Sequence, residues 1–112
     1  MIVPASAARI VFSTAGSREE AERIANGLVE ERLAACVNLI PGITSVYHWQ
    51  GAVETAGEFL LVIKTTLDNL DRLEAALRRL HSYEVPEFLV LQPESAGQDY
   101  LAWLMESARP SR

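Results

Sequence analysis

Cysteine is nearly absent from this sequence of 112 residues, in which Cys36 is the only one. A single thiol excludes an internal disulfide, so a hydrophobic core must stabilise the fold and a reducing compartment is expected, the cytoplasm by default. No apolar run reaches the roughly 20 residues of a membrane helix. The N-terminal segment also lacks the basic start and long apolar stretch of a signal peptide. We therefore expect no membrane partner.

Basic residues are also scarce, since ten Lys and Arg face fifteen Asp and Glu and give a net charge of -5. Such a chain repels phosphate backbones, and no basic run offsets the average, so nucleic acid is not expected as a partner. Common catalytic signatures are missing too: the sequence has no glycine-rich phosphate loop, no Gly-x-Ser-x-Gly, no His-Glu-x-x-His and no Cys-x-x-Cys. We therefore expect no enzymatic activity.

Hydrophobic residues are abundant, at 49% of the chain. The length suits one domain spanning 1–112, with an ordered core over about 8–108. Ser17 and Glu20 have the spacing of a capping box and predict the start of the first helix. Periodicity predicts helices over 18–33, about 68–80 and 98–107. It predicts strands over 8–13, 58–66 and 88–91, and a further strand over 34–40 that is broken at Pro41-Gly42 and continues over 43–54.

The order of these elements is strand-helix-strand-strand-helix-strand followed by a C-terminal helix. This order is typical of a ferredoxin-like α+β sandwich, with two helices on one face of an antiparallel sheet. The strand over 58–66 is apolar on both faces, which predicts cover on both sides of the sheet. Something other than the two helices must therefore cover the second face.

The hairpin between the second and third strands is too long for its domain. A strand over 43–54 spans on the order of 40 Å, whereas a compact domain of this length has a diameter near 35 Å. With Glu54-Thr-Ala-Gly57 as the turn, the hairpin projects from the domain and requires a partner chain. We therefore expect a homo-oligomer with its sheets packed together.

Several motifs occur in a familiar order along the chain. They are Leu33-Ala-Ala-Cys-Val-Asn38, Pro41-Gly-Ile-Thr-Ser-Val-Tyr-His-Trp-Gln-Gly51, Ile63-Lys-Thr65, His81-Ser-Tyr-Glu-Val-Pro-Glu87 and Tyr100-Leu-Ala-Trp103. In these motifs the chain resembles the CutA family of divalent-cation tolerance proteins. The resemblance implies a ferredoxin-like fold, a homotrimer whose three sheets meet in the middle, and a link to copper and other divalent ions.

His81 is the first candidate metal ligand, with Glu84 and Glu87 as supporting carboxylates, because imidazole suits copper. The alternative is a histidine hydrogen-bonded at the end of a helix. The resemblance also implies a departure here: copper-binding bacterial members carry a cysteine at Ser13 and a second histidine at Leu80. Any binding of Cu²⁺ or another divalent cation is therefore expected to be weak.

Cys36 is a second candidate, because thiolate is a soft ligand for copper. The alternative is a small hydrophobic side chain within the apolar run over 34–40.

Tyr47, Trp49 and Lys64 form a candidate ligand pocket. With the turn at 54–57, Tyr47 faces Lys64 and Trp49 faces Val62. The ammonium group of Lys64 beside the rings of Tyr47 and Trp49 would form a corner of the pocket, that is, a site that binds anions. Tyr83 and Glu87 are predicted to complete this pocket in a cleft between subunits. The alternative is plain packing at the subunit interface.

Three functions follow from these observations. The first is a homotrimeric, non-enzymatic protein that binds divalent metal ions, copper among them, and confers tolerance to them. The second is a trimeric signalling protein of the PII-like, nitrogen-regulatory kind that reads a small anion at the subunit clefts. The third is a small enzyme with its substrate in the same clefts. A comparison of metals with small anions as ligands distinguishes the first two.

Overall fold

Strands and helices alternate along the chain in the computed structural model, which describes residues 1–110. The strands are β1 (Ile2–Pro4), β2 (Ala8–Ala15), β3 (Cys36–Trp49), β4 (Ala52–Thr66), β5 (Leu89–Leu91) and β6 (Ser95–Gly97). The helices are α1 (Arg18–Glu30), α2 (Leu70–Leu80), preceded by a 3-10 turn at Leu67–Asn69, and α3 (Gln98–Ser107). No helix within residues 1–110 is long and apolar enough to cross a bilayer.

The main sheet has four antiparallel strands in the order β3-β4-β2-β5, and β1 pairs with β6 in a second, two-stranded sheet. Residues 1–110 thus form the expected α+β fold, with two sheets and three helices. The sequence analysis did not predict β1 or β6. Each has only three residues, which is too short for an alternation of apolar and polar positions to be visible.

Helices α1 and α2 cover one face of the main sheet. Ile24 and Leu28 of α1 and Leu73 and Leu77 of α2 are fully buried, together with sheet residues such as Leu61. A second cluster joins α3 to the end of the sheet through Ala5, Ala8, Ala35, Leu104 and Ala108. The amphipathic periodicity of the helices therefore places the core where the sequence predicted it.

The opposite face of the main sheet is apolar and only partly covered. Phe12 pairs with Val62 on one side and with Leu89 on the other, so these three side chains share that face. Leu89 is 57% exposed, and Ile40 and Leu91 are also exposed. The predicted second apolar face is therefore present, and within residues 1–110 no helix fully covers it.

The long hairpin turns at Gln50 and Gly51, whose φ values of 50° and 83° fit a type I′ turn. The turn predicted at 54–57 is therefore wrong. A register shift between Ile40 and Ile43 leaves Pro41 and Gly42 as a bulge, and the predicted strand continues across it as β3. Strand β2 pairs only with 59–66 of β4. Residues 43–58 thus form a two-stranded ribbon, called the arm below, in a molecule 46 Å long and 29 Å wide.

Helix α1 ends at Glu30, before the predicted end at Leu33, because the backbone reverses at Arg32. Arg32 has a φ of 58°, and the N–H groups of Arg32 and Leu33 donate to the carbonyls of Val29 and Leu28. This is the Schellman pattern, which glycine usually provides. Here the Arg32 side chain also donates to the carbonyls of Glu106 and Arg109, which stabilises the unusual conformation.

Candidate functional site

A pocket of about 790 Å³ lies between the arm and the segment joining α2 to β5, residues 81–88, called the 81–88 loop below. The arm contributes one wall because its type I′ turn brings β3 and β4 together far beyond the main sheet. The loop contributes the other wall. The lining residues are Thr14, Ser45, Val46, Tyr47, His48, Trp49, Glu58, Tyr83, Glu84, Val85, Pro86 and Glu87.

His81 anchors the start of the 81–88 loop to β2. Its Nε2 lies 2.6 Å from the carbonyl oxygen of Thr14, and its Nδ1 accepts a hydrogen bond of 3.1 Å from the backbone N–H of Tyr83. This pattern requires the tautomer with hydrogen on Nε2, which donates to Thr14. Both ring nitrogens are therefore engaged, and His81 can ligate a metal only after one hydrogen bond breaks.

Glu20 holds the same loop from helix α1. Its Oε2 accepts a 2.8 Å hydrogen bond from the backbone N–H of Ser82, and the residue is buried. Burial raises the pKa of Glu20, but the hydrogen bonds from Ser82 and the proximity of His81 outweigh it, so the pKa is lowered overall. The N-cap Ser17 accepts from the N–H of Glu20, as the capping-box spacing predicted. The carboxylate of Glu20 therefore holds the 81–88 loop through the N–H of Ser82.

Glu58 sits where the arm leaves the main sheet and is only 8% exposed. Its Oε2 accepts a 2.6 Å hydrogen bond from the hydroxyl of Tyr83. Burial and this contact with the Glu58 anion raise the pKa of Tyr83 far above its usual range. Burial, with a smaller contribution from Glu58, also raises the pKa of Glu87. The pocket is therefore acidic, and neither Lys nor Arg is among its lining residues.

The residues predicted to bind metal are separated in the structure. Glu84 and Glu87 line the pocket, whereas His81 lies behind it in its backbone hydrogen bonds. Cys36 is half-buried on β3, opposite Lys64 of β4. Within residues 1–110, no three His, Cys, Asp or Glu side chains lie close enough to share a metal ion.

Four of the five residues predicted to form the ligand pocket do line it: Tyr47, Trp49, Tyr83 and Glu87. Lys64 does not, because Tyr47 faces Glu54 and Trp49 faces Ala52 across the hairpin. Lys64 instead donates to the side-chain oxygen of Asn38. The predicted corner for an anion is therefore wrong, because the prediction placed the centre of the turn five residues after its true position between Gln50 and Gly51.

Glu58 is the main pocket residue that the sequence analysis missed. With the wrong turn, Glu58 followed the hairpin tip, whereas the true register places it at the base of the arm, opposite Ile43. A useful signal was present: a single carboxylate begins an otherwise apolar strand, and a buried carboxylate requires a donor. Only the position of the 81–88 loop supplies that donor, the Tyr83 hydroxyl.

Comparisons with known proteins agree on one family. The family model described as CutA1 divalent ion tolerance protein matches residues 9–107. The divalent-cation tolerance protein CutA of Thermus thermophilus is 47% identical over 98 residues, which cover 88% of this chain and 95% of that protein. The chloroplastic protein CutA 1 of rice is 43% identical over 91% of this chain, which spans 58% of that protein. The solved structure of CutA from Synechococcus elongatus superimposes with a TM-score of 0.92 at 37% identity, covering 97% of this chain and 96% of that one.

Proposed function

Because the chain belongs to the CutA1 divalent ion tolerance family, we propose that it binds divalent cations, copper among them, as a homotrimer without enzymatic activity. The strongest support is the pocket, whose lining residues include Glu58, Glu84 and Glu87 and the imidazole of His48 but neither Lys nor Arg. Carboxylate oxygens are ligands for divalent cations. A carboxylate whose pKa is raised by burial, such as Glu87, gains most from a nearby cation.

The trimer is proposed from the two open edges of the main sheet. The strand order β3-β4-β2-β5 fits a ferredoxin-like sandwich and leaves β3 at one edge and the short β5 at the other. Pairing of β5 with β3 of the next copy is head-to-tail, and such pairing closes a ring when the rotation permits. A ring of three copies also buries the partly covered apolar face and supports the arm, since an isolated two-stranded ribbon is marginally stable in water.

We propose Glu84 and Glu87 as the metal ligands, which an ion must draw together, because these two residues and Glu58 line the pocket without forming a group close enough to hold a metal ion. His81 becomes a further ligand if the ion displaces the hydrogen bond that Tyr83 donates to its Nδ1. Cys36 is a separate site, which needs a neighbouring subunit to supply further ligands. The single thiol fits a reducing compartment, so the proposal includes a cytoplasmic location.

A calorimetric titration with Cu²⁺ tests this function on the full chain. We expect the double variant Glu84→Gln/Glu87→Gln to bind Cu²⁺ at least about tenfold more weakly, since two charged ligands are lost. The control Glu30→Gln, an exposed carboxylate outside the pocket, should bind as the wild type does. A His81→Ala variant shows whether the imidazole takes part. Unchanged affinity in the double variant contradicts the proposed ligands.

A further inference from the structure

The pocket is larger than a metal ion alone requires. Its volume of about 790 Å³ falls in the range of roughly 300–1,000 Å³ that is typical of sites for organic molecules. A divalent ion needs several oxygen, nitrogen or sulfur ligands within about 2.0–2.6 Å. Within the described residues no such group converges. The volume therefore has room for a ligand with a carbon skeleton.

Three aromatic side chains line this volume. Tyr47 and Trp49 come from the arm, and Tyr83 comes from the 81–88 loop. Tyr47 is 44% exposed and Trp49 is 38% exposed, although exposed tryptophan is costly on a free surface. Aromatic rings attract organic cations through their negative faces, and Trp is the most effective of them. Val85 and Pro86 add apolar surface beside the rings.

Glu58 provides the second, independent observation. It is more than nine-tenths buried and lines the pocket, and within residues 1–110 it forms no ion pair. The Tyr83 hydroxyl satisfies one of its oxygens but brings no positive charge. Buried charges in proteins are normally paired, because an unpaired one loses its hydration without compensation. A cation that enters the pocket would therefore supply the positive charge that the described residues do not place beside Glu58.

We propose that the pocket binds a small organic ammonium ion, with a diamine as the best-fitting class. One ammonium group pairs with Glu58 and Glu87, and the alkyl chain lies against Tyr47, Trp49 and Val85. Glu84, which also lines the pocket, is the carboxylate that remains for the second ammonium group. This ligand class goes beyond the divalent metal ions proposed above, and it does not depend on metal binding.

The test is calorimetry on the metal-free full chain with 1,4-diaminobutane as the probe. Its neutral isostere 1,4-butanediol measures the contribution of charge. We expect the diamine to bind and the diol to show no detectable binding. Glu58→Gln keeps the acceptor for Tyr83 but removes the charge, and Trp49→Leu removes one aromatic wall. Each of these two variants should bind the diamine about tenfold more weakly than the wild type does. The control variant Glu30→Gln should bind the diamine with unchanged affinity.

Circular dichroism and the mass in solution show whether each variant keeps its fold and assembly. Trp49 is at an exposed position, so Trp49→Leu still tests the proposal if Glu58→Gln unfolds. Equal binding of diamine and diol overturns the proposal, as does an unchanged affinity in both variants. Absence of diamine binding also overturns it. A parallel Cu²⁺ titration separates the two proposals: copper binding without diamine binding leaves only the metal function, and the reverse leaves only the ammonium site.

Discussion

The contact between Tyr83 and Glu58 ties the 81–88 loop to the base of the arm, and both residues line the pocket. A hydroxyl donating to a buried carboxylate is a charge-assisted hydrogen bond, which is stronger than a neutral one. Removal of the donor leaves the carboxylate buried with one partner fewer. At the residue scale, this hydrogen bond is the one within residues 1–110 that joins the 81–88 loop to the arm, while His81 and Glu20 hold the start of the loop to β2 and α1.

Tyr83→Phe should lower the free energy of unfolding by about 1–3 kcal/mol, because the Glu58 carboxylate stays buried without its donor. Urea unfolding followed by circular dichroism measures the change. Tyr100→Phe is the matched control, since Tyr100 is exposed and its hydroxyl makes no hydrogen bond among the described side-chain contacts. Equal losses in the two variants would show that the Tyr83 hydroxyl adds nothing to stability.

Glu20→Gln should reduce the dependence of stability on acid pH. The pKa of Glu20 lies below its ordinary value of 4.5 in the folded chain. Its ionised form therefore stabilises the fold fully above about pH 4.5, and this contribution is lost as the pH falls through the lowered pKa. The variant keeps a neutral acceptor for Ser82, so we expect a loss of about 1 kcal/mol at pH 7.

Urea unfolding at pH 7 and at pH 3 checks this expectation, with the exposed neighbour Glu22→Gln as the control. The difference in stability between wild type and Glu20→Gln should shrink at pH 3, because below the ordinary pKa of 4.5 the unfolded chain binds a proton at Glu20 more readily than the folded chain does. A constant difference across this range would be inconsistent with the lowered pKa.

At the scale of elements, the tip of the arm fixes the register of the whole hairpin. A shift of the turn by one residue would move every cross-strand partner in the hairpin by two positions. Gly51 adopts a φ of 83°, a left-handed conformation in which a Cβ is unfavourable. Gln50 adopts a similar φ of 50° although it carries a Cβ, which makes this conformation less favourable than it is for glycine. The position of the pocket residues on the arm thus follows from one glycine.

Gly51→Ala should destabilise the protein by about 1 kcal/mol, because alanine resists the positive φ that the type I′ turn needs. A thermal melt measures the effect. Gly57→Ala is the control, since Gly57 has no positive φ and an added Cβ there meets no atom within 4 Å. We expect the control to change stability by less than about 0.5 kcal/mol. A larger loss at Gly57 would contradict this account of the arm.

At the scale of the whole molecule, the main question is what covers the second face of the sheet. Leu89 and Leu91 on the β5 edge leave apolar surface open, and the arm extends the molecule to 46 Å. Exposed strand edges invite pairing with another chain. The proposed trimer uses these edges, so its stability should depend on β5.

Leu89→Lys should dissociate the trimer. Its side chain is 57% exposed in the single chain, so a lysine there should be tolerated by the fold but not by an apolar interface. Light scattering should give three times the chain mass of 12.4 kDa for the wild type and a lower mass for the variant. Val29→Lys, on an exposed position of α1, is the control and should keep the trimeric mass. A wild type of single-chain mass would refute the assembly itself.

The sequence by itself determined the order of the longer elements, the capped start of α1 at Ser17 and the apolar positions of the core, because these depend on periodicity within single segments of the chain. It also carried the family motifs. The tertiary structure alone decided the turn at Gln50–Gly51, the reversal at Arg32 and the separation of Lys64 from the pocket. Glutamine and arginine give no local signal for a positive φ, and only cross-strand pairing and distant hydrogen bonds make those conformations favourable. The place of Glu58 in the pocket also could not be read from the sequence, because the residues that bury it and the Tyr83 hydroxyl that donates to it are distant in sequence.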